Sequence, residues 1–240
     1  MKNCLDIGVH YNPLIVKLEM LDILDEYLPS EDYEDYTFLE LIEIIDVRVY
    51  KTRGTDPRAQ ISKFAFDINT DTPDQEIQNW LLWFNQRWMS KQEFKSNLNG
   101  YIFHNPALYH IFIDYCEHKN EDSYSLEELK KFIDKKKPTI EHILSQTPKF
   151  SFRSHGFRDE DDFVEFENLI GNLTLLEKRL NSSVQNRNAL EKVPYYDKSS
   201  FKMTKELATS ISKIGEFKKS HIKERTKEIA AYCIERWWDE

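Results

Sequence analysis

Up to His118, apolar residues recur mainly at intervals of three and four, the pattern of helices that bury one stripe. After Asn12-Pro13 the series Leu14, Ile15, Leu18, Leu21, Leu24 and Leu28 keeps this spacing until Pro29, which predicts one long helix. An acidic, aromatic loop from Ser30 to Tyr36 precedes a second predicted helix, Thr37 to Tyr50. Asp56-Pro57 has the form of an N-cap with proline at the first helical position, so a third helix is expected to about Asn69. Pro73 to Asn97 predicts one long helix or two short ones, and Asn105-Pro106 opens another through Tyr109, Ile111, Phe112 and Tyr115. Ser125-x-x-Glu128 is a capping box for a helix to about Lys137. Trp80, Leu81, Trp83, Phe84 and Trp88 recur at helical spacing, which favours a core role over a base-stacking platform.

After Pro138 the pattern changes. Thr139-Ile140-Glu141-His142-Ile143-Leu144 is apolar and partly β-branched and predicts a short strand; Leu173 to Leu176 predicts a second. The segment between them, Gln146 to Ile170, reads as a long loop holding Lys149, Arg153, His155 and Arg158, with a short helix from Phe163 to Asn168. Glu177 onward is charged and rich in helix formers. Asn181 to Asn188 is polar, Pro194 to Ser200 reads as a turn, and helices Lys202 to Ile214 and Glu216 to Trp238 close the chain. Lys135-Lys136-Lys137-Pro138 marks the expected boundary between a helical domain, 1–138, and a second domain, 139–240. The fold class is mainly α.

Composition supports this picture. The chain has 240 residues, 40% of them apolar, and only 6 glycines. The 3 cysteines, Cys4, Cys116 and Cys233, form no CxxC pair and read as reduced thiols of a cytoplasmic protein. The N-terminus lacks the pattern of a signal peptide, and no run approaches the length of a membrane span, so no membrane partner is expected. A net charge of −9 looks wrong for a nucleic-acid binder, but the acidic excess lies before Pro138. From Asn168 to Lys227 bases outnumber acids by about two to one, which suits a phosphate backbone; solvated helix faces are the plainer alternative.

The candidate chemistry lies around the two strands. Glu141 and His142 are adjacent and would face opposite sides of a strand, yet at its end both can border one site. Asn181, one turn into the following helix, can face back across the strands. A carboxylate and a carboxamide oxygen are hard ligands suited to Mg²⁺ (or Mn²⁺), and a neutral imidazole beside them can take a proton from water.

Glu141-His142-Ile143-Leu144, then Gly171-Asn172-Leu173-Thr174-Leu175-Leu176, then Leu180-Asn181, resemble in order the HNH (His-Me finger) nuclease domain at the C-terminus of GmrSD-type, Type IV restriction enzymes. Lys192, Tyr196 and Ser199 or Ser200 stand where that family tends to have lysine, tyrosine and serine. Ile222, Arg225, Ile229 and Trp237 or Trp238 resemble its closing helix, so the likeness runs from about Thr139 to Trp238. It implies an N-terminal helical domain followed by a ββα-metal nuclease domain with flanking helices. The implied activity is Mg²⁺-dependent hydrolysis of DNA phosphodiester bonds, in restriction of phage or foreign DNA, modified DNA included. His142 would be the general base, Asn172 would hold the loop and orient it, and Glu141 and Asn181 would bind the metal. Lys178, Arg179, Arg187 and Lys192 would contact phosphate. His155 is a weaker alternative base, and Asn186 or Asn188 would replace Asn181 in a shifted helix register.

One departure stands out: the family reads His-x-x-Pro, and Ser145 occupies the proline's place. Lost with the proline is stiffening of the loop after the strand. The family's upstream nucleotide-binding domain is not recognised here; a separate subunit, or a longer parent chain, is expected to supply it. A second reading is therefore a catalytically weak or inactive module that binds nucleic acid or a partner subunit. An RNA substrate and a homo-oligomeric state stay open.

Overall fold

The computed structural model describes residues 7–119 and 138–237. Cys4, the Ser125–Glu128 capping box with its helix to Lys137, and Trp238 lie outside the described residues. The fold is mainly helical with one two-stranded sheet, and it divides into two compact units: Met1–Lys95 with Ile234–Glu240, and Ser96–Cys233. No helix among the described residues is long and apolar enough to cross a membrane.

In the first unit, α1 covers Asn12–Met20 and buries Leu14 and Leu18. The expected continuation to Leu28 does not form. Asp22 takes a left-handed φ of 62°, and the amides of Asp22 and Ile23 bond back to Glu19 and Leu18, closing the helix. Leu24 and Leu28 are still buried, but from an irregular segment that pairs with Tyr36 and Thr37. Apolar spacing alone could not separate these two ways of burying the same leucines.

Helix α2, Phe38–Ile45, is capped reciprocally: the Glu40 amide donates to Thr37 Oγ1 at 3.2 Å and the Thr37 amide to Glu40 Oε2 at 2.9 Å. It runs into a π-helical stretch, Asp46–Thr52, so the helix expected to Tyr50 is present but changes winding. Helix α3, Arg58–Asp67, follows Pro57. Pro73 to Asn97 resolves into two helices, α4 (Asp74–Trp88) and α5 (Lys91–Leu98), the break being fixed by a Ser90–Glu93 capping pair. On α4, Leu81 and Phe84 are buried and Trp80 stacks on Phe64 with centroids 3.7 Å apart. Trp83, expected in the core, is 53% exposed because it points off the buried stripe.

In the second unit, α6 is Ala107–His118. Strand β1, Thr139–His142, pairs antiparallel with β2, Leu173–Leu176, with Glu141 opposite Thr174 and His142 opposite Leu173. Between them α7, Glu160–Glu167, starts three residues before the expected Phe163, because the Asp159 side chain accepts the Asp162 amide as an N-cap. After β2 come α8 (Lys178–Val184), α9 (Ala189–Tyr196), α10 (Lys202–Ile214) and α11 (Lys219–Trp237). The expected turn from Pro194 is overruled in its first residues: Asn188 and Glu191 cap α9 reciprocally, and Pro194 sits inside that helix. A core of Ile143, Leu144, Phe157, Phe163, Leu176, Val184, Tyr196, Leu207, Ile211 and Ile222 joins these elements.

Gly171 is where α11 locks onto the entry to β2. Its amide donates to Thr226 Oγ1 at 3.1 Å, and Arg225 donates to the carbonyls of Gly171 (3.0 Å) and Leu173 (3.2 Å). A Cβ at this position would lie 2.1 Å from the Ile222 carbonyl oxygen, so no side chain fits.

Candidate active site

Strand β1 sends its adjacent polar residues to opposite faces, and each meets its own partners. Glu141 is met by α9: Lys192 Nζ donates to its Oε1 at 2.6 Å and Tyr196 Oη to the same oxygen at 3.3 Å. The same ammonium donates to the His142 carbonyl at 2.5 Å, so one lysine holds both residues at the strand end. Lys192 and Tyr196 are one helical turn apart on α9, which is why both reach one carboxylate. All three side chains are buried.

The imidazole of His142 packs against Phe103, centroids 4.3 Å apart, and lies 3.1 Å from Asn168 Oδ1 through Nε2. Asn168 in turn donates through Nδ2 to Glu167 Oε1 at 2.8 Å, which turns its carbonyl oxygen toward the histidine. That oxygen only accepts, so His142 Nε2 carries the hydrogen and, in the neutral ring, Nδ1 keeps the lone pair. Burial pushes the His142 pKa down to about 4, opposed by the Asn168 hydrogen bond. The ring is therefore neutral at neutral pH. Burial also raises the Glu141 pKa, opposed by the Lys192 ammonium, and lowers that of Lys192, opposed by Glu141. Both shifts run toward the uncharged forms, so desolvation outweighs attraction in this pair.

Asn172 holds the loop after β1. Its Oδ1 accepts the Leu144 amide at 2.9 Å, while Nδ2 donates to the carbonyls of Leu144 (3.1 Å) and Glu167 (2.8 Å). These bonds tie the loop to the segment before β2; the direct contact to the imidazole comes from Asn168. Neither Asn168 nor Glu167 is a candidate from the sequence, where they are two polar residues at the end of the short helix expected from Phe163 to Asn168. Ser145, at the family's proline position, donates to Asn186 Oδ1 at 2.9 Å and so ties the loop down by a hydrogen bond.

Asn181 Nδ2 donates to Thr139 Oγ1 at 2.7 Å. Thr139 and Glu141 alternate onto one face of β1, so Asn181 lies on the side that carries Glu141. No hydrogen bond joins Glu141, His142 and Asn181 directly. Of the expected phosphate contacts, Lys178, Arg179 and Arg187 are exposed. Lys192 is not: its side chain is 1% exposed and its ammonium is spent on Glu141 and His142. Ser199 and Ser200 both bind the Glu177 carboxylate, pinning the start of α8. His155 is half-buried, its Nδ1 facing the Ser151 carbonyl at 3.2 Å.

Asn181 Oδ1 carries no hydrogen bond among the described residues, whereas the Glu141 carboxylate is met by Lys192, Tyr196 and the His142 backbone amide. No cluster of three or more His, Cys, Asp or Glu side chains suited to a metal is present among the described residues. One carboxylate oxygen and one carboxamide oxygen on a shared face fit, in kind, a Mg²⁺ ion that keeps most of its waters.

Residues 88–232 match the family described as GmrSD restriction endonucleases, C-terminal domain. The chain belongs to this family. The matched region includes both strands, Glu141, His142, Asn172, Asn181 and the Arg225–Gly171 lock, so the GmrSD C-terminal family pattern spans every residue of the candidate site. Neither the curated proteins nor the solved structures contain a significant match. Membership in the GmrSD C-terminal family suggests a nuclease role in restriction.

Proposed function

We infer that this chain is a Mg²⁺- or Mn²⁺-dependent endonuclease of the HNH type. It hydrolyses DNA phosphodiester bonds in restriction of phage or foreign DNA, modified DNA included. The chemistry is assigned to the domain 139–240 and not to the domain 1–138. The observation that carries the reading is His142: a neutral ring, anchored at Nε2 by Asn168, with Nδ1 left to accept a proton.

In this reading His142 Nδ1 takes a proton from the water that attacks phosphorus. Asn172 fixes the backbone beside it through Leu144. Glu141 and Asn181 would hold the cation, and Lys192 keeps the Glu141 carboxylate oriented from inside. When bound, the cation stabilises charge on the phosphate and leaving oxygens. Lys178, Arg179 and Arg187 supply exposed positive charge for the DNA backbone.

A second reading, a module that binds DNA or a nucleotide-binding partner subunit without cutting, is favoured by two observations. Ser145 replaces the family proline, and the Glu141 carboxylate already has a resident counter-ion. A plasmid-nicking assay separates the two readings. Wild type is expected to nick with Mg²⁺ or Mn²⁺ and to stop in EDTA. His142→Ala is expected to lose about 10² to 10⁴ in rate while still binding DNA. Cleavage by His142→Ala at the wild-type rate, or full activity in EDTA, overturns the endonuclease mechanism; binding without any cleavage favours the second reading.

A further inference from the structure

A cavity of about 590 Å³ opens beside Ser145, on the loop that leaves β1. Its volume falls within the range of about 300–1,000 Å³ common to small-ligand sites. Its charges are not balanced once existing partners are counted. Of its acids, Glu191 is taken up capping α9 and Glu216 is paired with Lys218 at 2.5 Å. Its cations, Lys149 and Arg187, are exposed and carry no ion pair among the described residues. The Arg187 guanidinium rests 5.5 Å from the Tyr195 ring centroid, which holds it at the rim without neutralising it. Phe150 and His155 stack with centroids 4.1 Å apart and planes 29° apart, forming a flat π surface in the wall. Asn186 has its Oδ1 engaged by Ser145, which leaves its Nδ2 donor unengaged.

Two uncommitted cations, a π surface and a free amide donor within one cavity match one ligand class: a nucleotide, with an anionic phosphate, a flat base and acceptors on its edge. We propose that this cavity receives one nucleotide of the DNA strand, swung out of the stack and read there, three residues along the chain from His142. The proposal rests on the reading that the chain acts on DNA, and it gives that reading its recognition element: a base, or a base modification, is selected here. Enzymes that inspect single bases extrude them into such pockets, because a stacked base hides its edge and faces.

The test uses the intact chain in EDTA, so that binding is measured without cleavage. The four deoxynucleoside 5′-monophosphates and inorganic phosphate are titrated by isothermal calorimetry. Saturable nucleotide binding is expected, at least about tenfold tighter than phosphate. The surface double variant Lys149→Ala/Arg187→Ala is expected to weaken nucleotide binding at least tenfold. His155→Ala is expected to weaken nucleotide binding more than fivefold while leaving phosphate binding unchanged, since only the base stacks. Absence of saturable nucleotide binding at millimolar concentration, phosphate bound as tightly as nucleotide, or an unaffected double variant overturns the proposal. The outcome is separable from the nuclease reading: cleavage without nucleotide binding removes the pocket alone, and nucleotide binding without cleavage removes the endonuclease alone.

Discussion

Breaking the Glu141–Lys192 pair from one side should be far more damaging than removing it whole. Lys192→Met leaves a carboxylate that is 8% exposed with no cation within reach, and Glu141→Gln leaves an ammonium that is 1% exposed with only a carbonyl and an amide oxygen. Each single change strands one buried charge, at a cost of about 3–5 kcal/mol, a large part of a typical domain's stability. The double variant strands none. Burial already pushes both groups toward their neutral forms, so the pair itself contributes little net stability and the double variant should return to within about 1–2 kcal/mol of wild type. The expected coupling energy is therefore at least about 4 kcal/mol. Urea unfolding followed by far-UV circular dichroism measures all four proteins. Single variants that each lose under 1 kcal/mol, or a double variant whose loss is the sum of the two, would refute a buried, mutually dependent pair.

The His142 shift gives a pH prediction whose sign is fixed. Its folded pKa of about 4 lies below the ordinary value of 6.5, so between those values the unfolded chain binds the extra proton and stability falls as pH drops. This amounts to about 3 kcal/mol, fully present above pH 6.5 and lost toward pH 4; wild type should lose that much more than His142→Phe over this window in urea melts, and parallel curves would contradict it. Gly171→Ala places a Cβ 2.1 Å from a backbone oxygen of α11, which must move; a loss of about 2–4 kcal/mol is expected, and a variant as stable as wild type would show that the lock is loose. If Lys178, Arg179 and Arg187 contact the backbone, DNA affinity should fall steeply between 50 and 200 mM salt, and their triple alanine variant should flatten the slope by about 2–3; a slope unchanged by the variant places the contacts elsewhere.

Local chemistry made much of this chain legible before any coordinates. The short apolar run Leu173–Leu176 located β2, and helical patterning located α10 at Lys202–Ile214. Glu141, His142, Asn172 and Asn181 stood out because the three pieces that hold them resemble, in order, the GmrSD C-terminal pattern. Helix ends were harder. The stop after α1 depends on a left-handed Asp22, and the start of α9 depends on a capping pair that carries the helix through Pro194. Neither leaves a mark in hydrophobic periodicity.

Tertiary structure alone decided who meets whom. Lys192 stands at a lysine position of the family and, lying in a basic stretch, is expected to contact phosphate; a turn of helix laid across β1 makes it a buried counter-ion instead. Asn168 sits 26 positions from His142 and becomes the anchor of its ring only when the loop between the strands folds back. The four-residue strand fixed that Glu141 and His142 face opposite ways, because strand geometry is local. Their partners were fixed by packing, because burial and hydrogen bonding act between segments that no sequence spacing connects.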